Sequence, residues 1–284
     1  MTRDESNEWI EERIATAGGK GTTELYLSSM GLTELPELLL GLSNLEYLDI
    51  SENKFTEIPS LILNFPKLKR LALDFNPITY LPEWIGQLTQ LKDLYLKFTQ
   101  IKIIPESLGQ LSELETLDLS CVSFDEQLVL PKSIGKLTKL QSLHLSHNNL
   151  VELPEALAKC KKLRSLVISD NQLKFLPSWI GDLENLEELN ANNNEINDIP
   201  ESVGNLTRLK SLVLGGSDTG AYYFYDERGG KNKLKSLPLA IANLDQLTEL
   251  NLDNNPLDPE LAEAYKQGLD AVKAYLRAKA KAIR

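Results

Sequence analysis

Few residues in this sequence are of types that commonly act in catalysis or bind metals. The first candidates are its two histidines, His144 and His147. Both fall near the end of one short segment, and Cys121 or Asp170 from neighbouring segments could add the third ligand that a metal site needs. Plain surface residues are the simpler interpretation, so we expect no metal, no cofactor and no catalytic residue. Cys121 can be exposed, whereas Cys160 replaces a core leucine and should be buried and unreactive.

A second candidate is the glycine-rich stretch 18–22 (GGKGT), which resembles a phosphate-binding loop. A P-loop needs a glycine, four residues and then Gly-Lys-Ser/Thr. Ile14 and Ala15 stand where the first glycine should be, and Gly21 replaces the hydroxyl residue. We therefore expect this stretch to end a helix rather than to hold a nucleotide.

The composition argues against several kinds of partner. The 284 residues carry a net charge of −11, with a pI of about 4.9, and an acidic chain repels nucleic-acid phosphates and anionic lipid. Residues 1–10 are polar, no apolar run approaches the ~18 residues of a membrane span, and two cysteines do not indicate a disulfide framework. We expect a cytoplasmic protein with a protein partner, and no nucleic acid, membrane or small-molecule substrate.

The elements that position these residues follow from a proline that recurs along the chain. It stands at Pro36, Pro59, Pro82, Pro105, Pro131, Pro154, Pro177, Pro200 and Pro238. Successive spacings are 23, 23, 23, 26, 23, 23, 23 and 38 residues, so a 23-residue frame is repeated with insertions near 121–130 and 218–233. One copy of the frame runs Leu68-x-x-Leu71-x-Leu73-x-x-Asn76-x-Ile78-x-x-Leu81-Pro82-x-x-Ile85-Gly86-x-Leu88.

This frame is the leucine-rich-repeat signature in its 23-residue form. The alternation Leu71-x-Leu73 places both leucines on one side of a short strand, and a lone repeat cannot outweigh the entropy lost on ordering it, so repeats must stack. The expected fold is an α/β solenoid, an arc of about ten repeats with a concave parallel β-sheet and helices at both ends. Its expected domains are an N-terminal helical cap (1–20), the solenoid (21–257) and a C-terminal capping helix (258–284).

Each strand should be followed by a buried asparagine. The ten strands are predicted to begin near Glu24, Tyr47, Arg70, Asp93, Thr116, Ser142, Ser165, Glu188, Ser211 and Glu249. An asparagine amide can donate to and accept from the main chain of a buried turn, so Asn53, Asn76, Asn148, Asn171, Asn194 and Asn255 should form a ladder. Met30, Thr99, Val122 and Ser217 stand at the same position without an amide, and we expect the ladder to break at the last two.

Helices are predicted at both ends. Residues 4–17 should form one, with Trp9, Ile10, Ile14 and Ala17 on a single face. A single C-terminal helix should begin after Asp258, with an apolar stripe of Leu261, Tyr265, Leu269, Val272 and Leu276. The basic residues of its tail favour the helix dipole, and a basic contact surface is the alternative.

Outward strand positions in the middle repeats combine aromatic with charged residues, which is typical of an interaction patch. The candidate partner-binding residues are Tyr47, Asp74, Phe75, Tyr95, Lys97, Phe98, Asp118, His144 and His147. The alternative is that Phe75 and Phe98 merely pack over their neighbours at the strand end.

The longer insertion carries four further candidates, Tyr222, Tyr223, Phe224 and Tyr225, in a row. Linkers are polar or small, and tyrosine on a loop is a favoured contact residue, so we predict that this loop extends the binding surface. Alternatively, it folds back and repairs the ladder at Ser217. Deletion of residues 219–233 restores the 23-residue spacing and should leave the fold intact.

The two ends resemble the repeat region of bacterial Roco proteins, in TELYLS (23–28), GLTELP (31–36) and QGLDAVKAYLR (267–277). The frame is also similar to that of plant intracellular Ras-group-related leucine-rich-repeat proteins. Because Roco repeats precede a Ras-like GTPase, the resemblance implies a recognition or scaffold role beside signalling machinery. The predicted function is a protein-protein interaction module, and the alternative is the regulatory repeat region of a larger signalling enzyme such as a Roco-type GTPase.

Overall fold

The computed structural model describes residues 3–16, 19–123, 126–216 and 231–283. They fall into two compact units, Met1–Leu140 (unit 1) and Gln141–Arg284 (unit 2). The strands of unit 1 are β1 Glu24–Tyr26, β2 Tyr47–Asp49, β3 Arg70–Ala72, β4 Asp93–Tyr95 and β5 Thr116–Asp118. Those of unit 2 are β6 Ser142–His144, β7 Ser165–Val167, β8 Glu188–Asn190, β9 Ser211–Val213 and β10 Glu249–Asn251. All ten begin at the predicted residues.

Within each unit, neighbouring strands pair in parallel and in register. In unit 1 the central leucines pair as Leu25 with Leu48, Leu48 with Leu71, and Leu71 with Leu94, and all are buried. The same register runs from β6 to β10 in unit 2. Because side chains alternate along a strand, the residues on either side of each central leucine face outward.

Each repeat returns through a turn that a proline opens. Pro82 is extended, with φ −72° and ψ 151°, and the 3-10 helix Glu83–Gln87 follows it and buries Ile85. The repeat pattern alone does not predict this 3-10 helix. A Cβ atom on Gly86 would lie 2.6 Å from the carbonyl oxygen of Ser107, so neighbouring turns approach too closely for a larger residue.

The asparagine ladder is confirmed. The Asn171 amide nitrogen donates to the carbonyls of Leu145 (3.0 Å), Ile168 (3.1 Å) and Ser169 (2.9 Å). Its oxygen accepts from the backbone N–H of Asn148 and Leu150. Five bonds to otherwise buried main-chain groups explain why this side chain recurs.

The ladder does not break at the longer insertion, which corrects the expectation at Ser217. Asn232, on the far side of the insertion, donates to the carbonyls of Ala191 (2.9 Å) and Leu214 (2.8 Å) and accepts from the N–H of Ile196 (2.9 Å). The inserted residues therefore precede the ladder residue in the frame. Deletion of residues 219–233 would remove Asn232 from the ladder, and the expectation that the fold stays intact remains a prediction.

The N-terminal helix α1, Arg3–Thr16, is followed by the 3-10 helix Gly19–Gly21. Ile10 is fully buried, but Trp9 is 53% exposed, so the prediction that both share the inward face is wrong. Neighbouring helical residues point ~100° apart, and Ile10 takes the inward direction. Residues 19–22 of the glycine-rich stretch form a turn, in which the Thr22 hydroxyl donates to the Gly19 carbonyl at 2.6 Å.

The C-terminal cap has two helices where one is predicted, α2 Pro259–Lys266 and α3 Leu269–Ile283. They are separated because Gly268 has a φ of 102°, which lies outside the helical region. Lys273 is buried and donates to the carbonyls of Leu244 (2.8 Å) and Leu247 (3.3 Å). Arg277 likewise donates to the Ala242 carbonyl, so these two cations satisfy carbonyl groups of the last repeat, and a basic contact surface on the rest of the tail stays an untested alternative.

The predicted leucine-rich-repeat class, with parallel strands, a repeated turn and helices at both ends, is therefore confirmed.

Candidate functional site

The outward side chains of unit 1 form rows because its strands are in register. The first row is Glu24, Tyr47, Arg70, Asp93 and Thr116. The second is Tyr26, Asp49, Ala72, Tyr95 and Asp118. Two residues further along, the strand ends carry Ser51, Asp74 and Lys97. We call this surface the unit 1 face, and it brings together five predicted site residues, Tyr47, Asp74, Tyr95, Lys97 and Asp118.

Phe75 and Phe98 form an aromatic pair at the edge of the unit 1 face. Their rings stack with centroids 4.6 Å apart, so they do pack over each other, yet Phe75 is 43% exposed. The Lys97 ammonium lies 5.2 Å from the centre of the Phe98 ring. The pair therefore combines packing with a ring surface open to a partner.

The backbone at this aromatic pair is left-handed, as it is at the equivalent position of other repeats. Both residues have a φ of 55°, in the left-handed region where a bulky side chain is an outlier. The equivalent residues in other repeats are mostly small or polar, such as Ser29, Asp170 and Asn193. Strain of this kind costs ~1–3 kcal/mol and concentrates at functional sites, so the aromatic rings are kept against the local backbone preference.

A second aromatic group lies on β1 to β4. The rings of Tyr26 and Tyr47 meet edge to face at 5.1 Å, and the Arg70 guanidinium lies 5.8 Å from the centre of the Tyr47 ring. Arg70 also forms an ion pair with Asp93 at 2.8 Å. Tyr26, Arg70 and Asp93 were not predicted as site residues, although strand alternation applied to β1, β3 and β4 would have found them.

Between these groups is a hollow whose floor is Ala72, and we call it the Ala72 hollow. Its volume is about 300 Å³, and it is lined by Tyr47, Asp49, Ser51, Arg70, Ala72, Asp74 and Tyr95. It exists because Ala72 is the smallest residue of its row, whereas Val167 and Val213 hold the same position in unit 2. An absent side chain gives no signal in a sequence, so the hollow could not be predicted.

Asp74 is the most perturbed carboxyl group at this surface. Loss of hydration on burial raises its pKa to about 7, and the charges of Asp118 and Asp49 add to the rise. A hydrogen bond of 2.6 Å from the backbone N–H of Lys97 acts in the opposite direction. Burial also raises the pKa of Tyr47 to about 12, so its ring stays neutral at physiological pH.

The two histidines lie on unit 2. His144 is 3.2 Å from the Ser142 hydroxyl, and His147 is 3.3 Å from the Asp170 carboxylate. Within the described residues no group of three or more histidine, cysteine, aspartate or glutamate side chains is placed to hold a metal ion.

Both cysteine thiols are buried. Cys160 is fully buried, as predicted, and loss of hydration raises the pKa of its thiol to about 11. Cys121 is only 5% exposed, against the expectation that it could be open to solvent.

The four aromatic residues of the longer insertion, Tyr222, Tyr223, Phe224 and Tyr225, lie outside the described residues, so their predicted role stays a prediction. None of the helices in the described part of the chain combines the length and the apolar character needed to cross a membrane.

The sequence profile of the family described as "Leucine-rich repeat region" matches residues 24–129 and 128–250. This chain belongs to the leucine-rich-repeat family. No curated protein sequence matches it significantly.

Solved leucine-rich-repeat structures are similar to this protein over most of its length. A leucine-rich-repeat protein of Leptospira interrogans is 31% identical over 87% of this chain, with a TM-score of 0.68. An internalin (inlF) of Listeria monocytogenes is 26% identical over 95% of this chain and 73% of its own, with a TM-score of 0.75. The plant peptide hormone receptor RGFR1 in complex with RGF2 is 25% identical over 84% of this chain and 45% of its own, with a TM-score of 0.55. This chain spans 64% of the Leptospira protein.

Membership of this family supports a protein-interaction module, as predicted, because solenoid repeats present extended binding surfaces. The finer resemblance to Roco proteins and to plant Ras-group-related repeat proteins stays a prediction.

Proposed function

We propose that this protein binds a protein partner through the unit 1 face. The observation that carries the proposal is the pair of stacked phenylalanines, Phe75 and Phe98, held at left-handed backbone positions with ring surface open to solvent. Exposed aromatic rings that are costly to keep have no role in the core, which the leucines already fill. Aromatic anchors dominate the binding energy of many interfaces.

The charges around the aromatic pair add specificity to this surface. Arg70, Asp93 and Lys97 lie among the aromatic rings, and an interface of rings with charged neighbours selects its partner through complementary charge. The plant receptor RGFR1, which is similar in fold, has a structure in complex with RGF2. We therefore propose a peptide segment or a protein surface as the ligand, bound across the strands of unit 1.

The test begins with capture of binding proteins from the native source by the tagged full chain, followed by purification of the leading candidate. Its affinity is then measured by calorimetry for Tyr95→Ala and Phe98→Ala, with Val167→Ala on unit 2 as the matched control. We expect each unit 1 variant to lose more than ~1 kcal/mol of binding free energy and the control to bind like the parent. Normal binding by both unit 1 variants would contradict the proposal.

Two further sets of residues are proposed as contributors. His144 and His147 face outward on unit 2, and the aromatic run 222–225 of the insertion supplies contact residues of the preferred type. His144→Ala, His147→Ala and deletion of residues 217–231 test them in the same assay, with at least a threefold loss of affinity expected for a true contact.

A second candidate function is the regulatory repeat region of a larger signalling enzyme. The Roco-like stretches at 23–36 and 267–277 favour it. The coding sequence that follows Arg284 in the native gene decides it, because this candidate requires a Ras-like GTPase to follow. A cytoplasmic location is proposed with it, and localisation of the tagged full-length product tests that part.

A further inference from the structure

We infer that the Ala72 hollow receives a cationic side chain of the partner, and an arginine in preference to a lysine. The inference rests on the proposed function, since it names the chemical group that the unit 1 face recognises.

The shape of the hollow suits one side chain. Asp49 and Tyr95 flank Ala72 in the same row on β2 and β4, and strands two apart are separated by ~10 Å. Asp74 stands two residues beyond Ala72, or ~7 Å along the strand direction. Ala72 thus has a carboxylate on two of its sides and a phenol ring on the third. The hollow between them has a volume of about 300 Å³.

The carboxylates that line the hollow favour a cationic ligand. Asp49 already accepts hydrogen bonds from the backbone N–H and the hydroxyl of Ser51, at 2.9 and 2.6 Å. Within the described residues no ion pair joins Asp49 or Asp74 to a lysine, arginine or histidine. Arg70 is the one cation of the lining, and its charge is directed to Asp93.

An anionic ligand is therefore disfavoured at the hollow. Arg70 would have to leave Asp93, and the ligand would meet two carboxylates. A cation, by contrast, would find both carboxylates free of ion-pair partners. Burial of Asp74 already disfavours its charged form, and a bound cation would relieve that cost.

The aromatic walls favour a planar cation. Tyr47 and Tyr95 both line the hollow, and Tyr47 already has one guanidinium, that of Arg70, near its ring. A guanidinium can stack on a ring while its edge donates to a carboxylate, whereas an ammonium is a compact, strongly hydrated point charge. An arginine side chain can therefore stack on a tyrosine ring and donate to a carboxylate of the hollow at the same time.

The test uses the ¹⁵N-labelled full chain and small probes in place of the unknown partner. N-acetyl-arginine amide is titrated and followed by amide NMR shifts, with N-acetyl-citrulline amide as the neutral probe of the same shape and N-acetyl-lysine amide as the second cation. We expect the arginine probe to shift the amides of Ala72, Asp74 and Tyr95. The citrulline probe should leave them unshifted, and the lysine probe should bind at least threefold more weakly.

Two variants locate the site. Ala72→Val fills the hollow with the side chain that unit 2 carries at the same position, so the fold accepts it, and Val167→Ala is the reciprocal control. Asp74→Asn removes the charge but keeps an oxygen for the Lys97 N–H. Each unit 1 variant should weaken the arginine probe about tenfold, the size expected for a charged hydrogen bond, and the control should not.

The pH dependence gives an independent readout. The groups that face Asp74 are Asp49 from β2, Asp118 from β5, Tyr95 and Lys97 from β4 and its end, and Arg70 on β3. The arginine probe keeps its charge throughout, and burial raises the pKa of Asp74 to about 7. Affinity should therefore rise between pH 5.5 and pH 8 in the parent and stay flat in Asp74→Asn.

Several outcomes would overturn the inference. Equal shifts with the citrulline probe would mean that charge is not recognised, and absence of shifts at Ala72 and Asp74 would mean that the hollow is not a site. Binding of the lysine probe as tight as that of arginine would remove the arginine preference. If the hollow fails but Phe98→Ala still loses the purified partner, the inference is wrong while the proposed function stands.

Discussion

The two units have the same frame but present different outward faces. On unit 1 the outward positions carry Tyr26, Tyr47, Arg70, Tyr95 and the phenylalanine pair. The corresponding positions of unit 2 are mainly serine, asparagine, valine and glutamate, such as Ser165, Val167, Glu188 and Asn190. One scaffold thus supports an aromatic, charged surface in one unit and a small, polar one in the other.

The asparagine ladder is more complete in unit 2 than in unit 1. In unit 2 every repeat from Asn148 to Asn255 has an amide that bonds to the main chain, including Asn232 at the end of the insertion. In unit 1 the position is Thr99 in one repeat and Val122 in the next. The uninterrupted ladder lies in the unit with few outward aromatic residues, and the aromatic surface lies in the unit whose ladder is interrupted. Stability and recognition therefore depend on different repeats.

The largest expected effect concerns the asparagine ladder. Asn171→Ala in unit 2 removes five hydrogen bonds from buried main-chain groups, and we expect a loss of at least ~3 kcal/mol in the free energy of unfolding. Thr99→Ala in unit 1 removes one bond to the Leu96 carbonyl and should cost ~1 kcal/mol. Urea unfolding of both variants measures the difference. Equal losses would mean that the side chain at this ladder position contributes equally to stability in the two units.

The next effect concerns the insertion in unit 2. Deletion of residues 217–231 keeps Asn232 beside Gly216 and restores the 23-residue frame, so we expect a stable protein. Deletion of residues 219–233 is of equal length but leaves the carbonyls of Ala191 and Leu214 and the N–H of Ile196 without the Asn232 amide. It should lower the free energy of unfolding by a further ~2–3 kcal/mol. The same urea measurement tests this, and similar stabilities would show that Ser217 replaces Asn232.

A smaller effect tests whether the unit 1 face is held at a cost to stability. The pKa of Asp74 is raised from 3.8 in the unfolded chain to about 7 in the folded one, so the folded state favours the protonated form. Stability from this group is present below pH 4 and is lost as pH rises toward 7. Asp74→Asn should therefore be more stable than the parent at pH 8, by the order of 2 kcal/mol after allowance for solvent screening.

Thermal unfolding at pH 4 and pH 8 checks the prediction for Asp74. At pH 4 the two proteins should melt at nearly the same temperature. A variant that melts lower than the parent at pH 8 would mean that the charged form of Asp74 is stabilised in the folded protein.

Strand starts, inward leucines and most of the ladder could be predicted from the sequence, because a 23-residue period repeats the same buried environment. The site could be predicted only in part. Tyr47, Tyr95 and Phe98 follow from alternation and residue type, but the hollow depends on the small size of Ala72. Asn232 was missed because an insertion can stand on either side of a ladder residue without changing the count.

Local exceptions at the ends could not be predicted either. Trp9 and Ile10 are adjacent and both apolar, so the helical period leaves open which one faces inward. Gly268 interrupts an apolar stripe that would suit one continuous helix, and a single glycine inside such a pattern is often tolerated. Each exception depends on tertiary packing rather than on local sequence.

A double variant of the aromatic pair separates binding from stability at the unit 1 face. Phe75→Asn with Phe98→Asn removes both rings but introduces a residue that tolerates the left-handed backbone, as Asn193 and Asn254 do at the same position in unit 2. We predict that the free energy of unfolding stays within ~1 kcal/mol of the parent, while calorimetry shows the purified partner binding more than tenfold more weakly. A stable double variant that binds the partner at full affinity would mean that the aromatic pair does not carry recognition.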